Sequence, residues 1–122
     1  MIFIMIGTND LAYGKTVEYV IENYQKIIDR IQAASPDTEI ILQAVLPVED
    51  AIHYTRPNES IRAINTQLKE ISQNENIQYI DIHTTFSDEN GKLNKIYSID
   101  GLHLNGAGYL LWKDILMNYI DK

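Results

Sequence analysis

Apolar residues in this chain follow two rhythms: short unbroken runs, and longer stretches in which they recur at every third or fourth position. Ile2-Phe3-Ile4-Met5-Ile6 is apolar on both alternating faces and is stopped by Gly7, which predicts an interior parallel strand covered on both sides. A polar loop, Thr8 to Lys15, follows. From Thr16, a candidate N-cap, the positions Val17, Val20, Ile21, Tyr24, Ile27, Ile28 and Ile31 trace one face of a long helix. Ser35-Pro36-Asp37 ends it. Glu39 to Val45 reads as a second buried strand ending at Pro47, with a polar loop running on through Pro57. Asn58 is placed to cap a second helix, on which Ile61, Ile64, Leu68 and Ile71 share a face before the Asn74-Glu75-Asn76 turn. Ile77 to Ile82 makes a third strand. A loop from His83 to Leu104, holding the turn Asp88-Glu89-Asn90-Gly91, leads to Asn105, a cap for a last helix with Leu111, Trp112, Ile115, Leu116, Tyr119 and Ile120 on its apolar face. Strand and helix thus alternate three times. That order predicts an α/β fold, a parallel sheet sandwiched between helices.

Composition narrows the partners. The chain has 122 residues, enough for one domain, and its 10 Lys+Arg against 17 Asp+Glu leave a net charge of −7. Such a surface has no basic excess with which to neutralise phosphodiesters or anionic lipid, so nucleic acid and membrane surfaces are poor partners. A small-molecule substrate fits better. With no Cys there is no disulfide, thiolate metal site or Cys nucleophile. The longest apolar run, Met1 to Ile6, falls far short of the ~20 residues that span a bilayer and lacks the basic flank of a signal peptide. The compartment stays open.

Ligands of open parallel sheets bind outside the carboxyl ends of the strands. Two polar clusters fall there: Gly7-Thr8-Asn9-Asp10 after the first strand, and Asp100-Gly101-Leu102-His103 before the last helix. Each alone reads equally as turn chemistry, since Asn and Asp cap turns with their own side chains. Together they say more. An Asp three residues before a His can accept from the imidazole, fix its tautomer and stabilise its cation, as a general base serving a hydroxyl requires. An Asn amide at a neighbouring strand end can donate to a developing oxyanion.

At these residues the chain resembles the SGNH hydrolases, also called GDSL-type esterases, lipases or acylhydrolases. Gly7-Thr8-Asn9-Asp10 matches that family's G-x-N-D block, and Asp100-Gly101-Leu102-His103, with Leu104, Asn105, Gly108 and Tyr109 after it, matches its D-x-x-H block and helix start. The resemblance implies a three-layer, flavodoxin-like α/β/α domain that hydrolyses carboxylic esters, such as acetylated sugars or lysolipids, without metal or cofactor. It assigns His103 as general base, Asp100 as the residue orienting it, and Asn9 as an oxyanion-hole donor supported by Gly7, Thr8 and Asp10.

The family's Gly-Asp-Ser nucleophile block and its second, Gly-bearing block have no counterpart here. Ser35, Ser60, Ser72, Ser87 and Ser98 all lie outside a Gly-Asp context, and Ser98 reads as a turn residue. A strand with its crossover helix takes ~30 residues, so two absent units would add roughly 60 and complete a domain of the usual size. Residues 1–122 are therefore expected to be a single, partial domain, lacking its N-terminal strands and its nucleophile and inactive alone. The rival reading is a non-catalytic remnant or binding module on the same scaffold. Loss of neighbouring strands would also bare Ile2 to Ile6 at a sheet edge, predicting a homodimer through that strand.

Elsewhere, His53 and His83 lack helical partners at metal-ligand spacing and read as loop or surface His. Glu49-Asp50 reads as a solvated pair and Trp112 as core. Tyr13, Tyr54 and Tyr97 sit in loops able to border the crevice.

Overall fold

The computed structural model describes residues 1–120. Its elements run β1 (Ile2–Ile4), α1 (Thr8–Ala12), α2 (Val17–Ala34), β2 (Ile40–Gln43), α3 (Asn58–Glu75), β3 (Gln78–Ile80), α4 (Ile82–Phe86) and α5 (Gly106–Ile120). The three strands are parallel in the order β1-β2-β3, with Ile2 opposite Ile40 and Ile41 opposite Gln78. Both crossover helices, α2 and α3, therefore lie on one face, as the uniform handedness of parallel connections demands.

Alternation along the strands sorts the core into two layers. Ile4, Ile40 and Leu42 meet Val20, Tyr24 and Ile28 of α2 and Ile61, Ile64 and Leu68 of α3. Phe3, Ile41 and Ile80 point the other way, toward Ile82 and Phe86 of α4 and the half-buried Trp112, Ile115 and Leu116 of α5. The two layers differ in completeness. Val20, Tyr24 and Ile28 of α2 and Ile61, Ile64 and Leu68 of α3 are buried, each apolar side chain contributing about 1.5 to 3 kcal/mol by leaving water, whereas on α5 Gly108 alone is fully buried and Tyr109, Leu110, Met117 and Ile120 remain exposed.

Three local readings change. Thr8 to Ala12 is a short helix rather than loop, and the third strand stops at Ile80, so that Ile82, read as its end, opens a second short helix with His83 to Phe86, whose N-cap Asp81 accepts from the Thr84 amide at 3.1 Å. Five residues are too few to show a helical period. Thr16 does cap α2, accepting from the Tyr19 amide at 3.0 Å, and Asn105 caps α5 through the Gly108 amide at 2.9 Å. Asn58 does not cap α3: Pro57 holds that position, and the buried Asn58 amide instead grips both backbone groups of Val48, at 2.9 and 2.7 Å. Asn65, two turns on, grips Val45 in the same way at 2.7 and 3.0 Å. These two amides satisfy buried polar groups of the backbone after β2 as a neighbouring strand would.

Tyr24 performs a similar service for β1. Its hydroxyl accepts from the Ile6 amide at 2.8 Å and donates to the Ile6 carbonyl at 2.7 Å, and burial pushes its pKa up to about 12. Within the described sheet β1 is an edge strand, with Met1, Ile2 and Ile6 exposed and Ile4 buried beneath the helices.

Candidate active site

The first strand hands the chain to the site through Gly7. Its φ of 118° lies outside what residues with a Cβ adopt comfortably, and a Cβ there would stand 2.8 Å from Cγ1 of Val20. This turn starts α1 at once, placing Thr8, Asn9 and Asp10 in its first turn. The Asn9 side-chain oxygen accepts from Nη2 of Arg56 at 3.1 Å. Arg56 has only donors, so the contact fixes which way round the amide lies and leaves its NH2 free to donate.

On the other side, Asp100 Oδ2 accepts from His103 Nδ1 at 2.7 Å, while its Oδ1 accepts from the amides of Leu102 and His103 at 2.9 and 2.8 Å. The His103 hydrogen bond and the two amides hold the Asp100 carboxyl well below the usual carboxylate range. Because an ionised carboxylate only accepts, Nδ1 carries the proton, and the Nε2 lone pair has no hydrogen-bond partner among the described residues. Both side chains are solvent-accessible, at 75% for His103 and 52% for Asp100. A depressed carboxyl pKa contributes stability above its unfolded value near ~4 and loses that contribution as pH falls. The Asp100 carboxyl carbon-13 shift should therefore stay flat from neutral pH through ~4 and move only below it. In His103→Ala the midpoint should rise; an unchanged midpoint would remove the imidazole as its cause.

The segment after β2 ties the two clusters together. The Glu49 amide donates to the Gly101 carbonyl at 2.8 Å, His53 Nε2 donates to the Asp100 carbonyl at 2.8 Å, and Arg56 reaches Asn9. Gly101, at φ 78°, packs so closely that a Cβ would fall 2.6 Å from that of Glu49. Arg56 did not stand out in the sequence and His53 read only as a loop or surface His, since each makes its contact across the fold. Glu49 and Asp50 are not merely solvated: both carboxylates hold Lys92, at 2.9 and 3.4 Å.

A cavity of about 280 Å³ opens beyond the carboxyl ends of β1 and β2, lined mainly by apolar groups that include Ile6, Leu46, Tyr109 and Trp112. Thr8 and His103 also line it, whereas Asn9 and Asp100 stand outside its wall. The aromatic wall comes from α5, where Tyr109 and Trp112 stack with ring centres 6.1 Å apart, and Trp112 donates to buried Gln43 at 2.7 Å. Tyr13 and Tyr54 project into solvent, and Tyr97 packs edge-on against Phe86. His83 is buried on α4 rather than at the surface. None of the five serine hydroxyls bonds to the His103 imidazole. The Ser98 hydroxyl donates to the His103 carbonyl at 2.6 Å and accepts from the Gly101 amide at 3.0 Å, which builds the loop. Ser35, Ser72 and Ser87 bond to Thr38, the Lys69 carbonyl and the His83 carbonyl, and Ser60 lies in the first turn of α3.

Comparison with known proteins bears on this arrangement. An N-acylneuraminate cytidylyltransferase of Escherichia coli O18:K1:H7 is 32% identical over 109 residues, 88% of this chain but 25% of that enzyme. The chain thus spans about a quarter of that relative's length. The isoamyl acetate-hydrolyzing esterase of Saccharomyces cerevisiae is 29% identical over 73 residues, 60% of this chain and 31% of the esterase. In the solved structure of a GDSL-like lipase from Bacteroides thetaiotaomicron, 99% of this chain superposes on 62% of that one with a TM-score of 0.85 and 23% identity, which places the sheet and its helices in the same fold. Residues 1–111, a span that includes both polar clusters and the start of α5, match the GDSL-like lipase/acylhydrolase family, and the chain belongs to it.

Proposed function

We propose that this chain carries the proton-transfer and oxyanion-binding part of a carboxylic-ester hydrolase site, with the attacking hydroxyl supplied by residues other than its own serines. The observation that carries this is the Asp100–His103 pair, whose His103 lines an apolar cavity beyond the strand ends with Nε2 unpartnered among the described residues. In the reaction, a serine oxygen adds to the ester carbonyl as its proton passes to His103 Nε2. The carbonyl electrons become an oxyanion that accepts from the Asn9 NH2, and Asp100 steadies the imidazolium. Collapse expels the alcohol, protonated by His103, and water then repeats the sequence to release the acid. A cavity of this size with an apolar wall suits a short acyl group, and the yeast relative's name supports an ester as substrate.

The test is turnover by the 122-residue chain. Wild type should hydrolyse p-nitrophenyl acetate no faster than His103→Ala, and a fluorophosphonate should label no serine. Stoichiometric labelling of any of the five would overturn the assignment of the nucleophile. The same serine placement favours a second reading, a binding module that retains the scaffold. The two part when a Gly-Asp-Ser serine is supplied, because only the first then gains turnover that depends on His103.

We also infer that the chain self-associates through β1. That strand is an edge of the described sheet, with Ile2 in it and Met1 and Ile6 flanking it exposed and no Lys or Pro to blunt pairing, and the half-open face of α5 lies on the sheet face that Phe3 supports. A two-fold axis would pair two copies antiparallel. Ile4 is buried against α2 and α3, so Ile2→Lys is the informative variant. Sedimentation equilibrium at micromolar concentration should show a wild-type dimer and an Ile2→Lys monomer; a folded wild-type monomer would dismiss this interface.

A further inference from the structure

A second cleft, of about 510 Å³, opens at the β3 edge between α3 and α4 and shares no lining residue with the cavity of the candidate ester site. Its unengaged donors are two cations and a tyrosine hydroxyl, since Thr66 donates to the Arg62 carbonyl at 3.0 Å and the Asn65 amide to that of Val45. Arg62 and Lys69 stand two turns apart on α3 and line it with Thr66 between them, and neither forms an ion pair among the described residues, although the chain carries a net charge of −7. Tyr79 lines the floor, and its hydroxyl has no hydrogen-bond partner among the described residues. The one carboxylate present, Asp81, is engaged at both oxygens by Thr84, through the amide at 3.1 Å and the hydroxyl at 2.7 Å.

The decisive atom is Nε2 of His83. The residue is 9% exposed, yet this nitrogen lies buried without a hydrogen-bond partner. On the other side of the ring, the Ser87 hydroxyl spends its proton on the His83 carbonyl at 2.6 Å and stands 3.4 Å from Nδ1. A buried polar atom left unpaired beside two free cations costs stability and gives back nothing within the chain. Binding of an acid-bearing group would use all three. We propose that this cleft binds the phosphate group of a small molecule, with Arg62 and Lys69 pairing its charge, Tyr79 donating to one oxygen and His83 Nε2 meeting the protonated oxygen of the monoanion. A bare phosphate would fill a fraction of the volume, so the remainder is room for an organic group esterified to it.

Amide shifts of nitrogen-15-labelled protein, followed while inorganic phosphate or phenyl phosphate replaces chloride at constant ionic strength, test this. Saturable shifts centred on His83, Thr84 and Thr66 are expected, with a dissociation constant on the order of 1 mM. Tighter binding of phenyl phosphate would identify an ester as the ligand, and equal binding the free ion. Arg62→Gln and Lys69→Gln, both exposed helix positions, should each weaken binding roughly tenfold without altering the fold. His83→Gln tests the buried contact, with the spectrum itself reporting whether that variant folds. Shifts that stay linear with concentration, that centre elsewhere, or that persist unchanged in the Arg62→Gln, Lys69→Gln double variant would overturn the proposal.

Discussion

Asn9→Ala should lower kcat by about 10² to 10³ with little change in KM, in a protein that joins these 122 residues to a Gly-Asp-Ser serine. This follows from the proposed oxyanion role, which the position and orientation of the amide support. It lies in the first turn of α1 immediately beyond β1, and Arg56 holds its oxygen, so the NH2 is the end left to face a substrate. A donor aimed at an oxyanion strengthens only as charge develops, and its loss therefore appears in kcat rather than in binding. Asn9→Asp separates donation from the Arg56 contact: the carboxylate keeps the guanidinium but cannot donate, so it should fall at least as far as Ala. Steady-state kinetics on the set decides the matter. A loss confined to KM would make Asn9 a ground-state binding residue.

Gly7→Ala should destabilise the fold by about 2 to 5 kcal/mol. Two costs combine, the strain of holding a Cβ-bearing residue at φ 118° and the collision of that Cβ with Val20, itself buried between α2 and the sheet. Against a domain stability of roughly 5 to 15 kcal/mol this is a large fraction. Urea denaturation followed by far-ultraviolet circular dichroism measures it. A loss below ~0.5 kcal/mol would show that the backbone relaxes into an ordinary turn, and Thr8 and Asn9 would then owe their placement to something other than Gly7.

The framework of this protein was legible in the chain because burial imposes period. The apolar run at Ile2–Ile6 and the one at Ile40–Val45, broken only by Gln43, read as strands covered on both faces, and the three- and four-residue steps from Val17 to Ile31 and from Ile61 to Ile71 read as helices with one buried side. Their alternation, with the fixed hand of parallel connections, then settles a parallel sheet between helices. Asp100 and His103 were legible for a different reason: they are three residues apart on one turn, so their contact is local and needs nothing from the rest of the fold.

What lay beyond the sequence is what depends on distant partners. The edge position of β1 depends on which strands lie beside it, and its apolar run looks the same in the middle of a sheet. Arg56, His53 and Glu49 contact the two candidate clusters because the segment after β2 folds against both, and no spacing announces a guanidinium meeting an amide 47 residues away. Asn58 shows the limit most plainly. Local chemistry makes it a helix cap, but a buried extended backbone at Val48 had both a donor and an acceptor to satisfy, and the amide serves that larger need. Sequence thus determined the elements and the local dyad, where the forces act between near neighbours. Tertiary structure alone decided which polar side chains complete them, because the cost of an unpaired buried group is set by whatever the fold brings beside it.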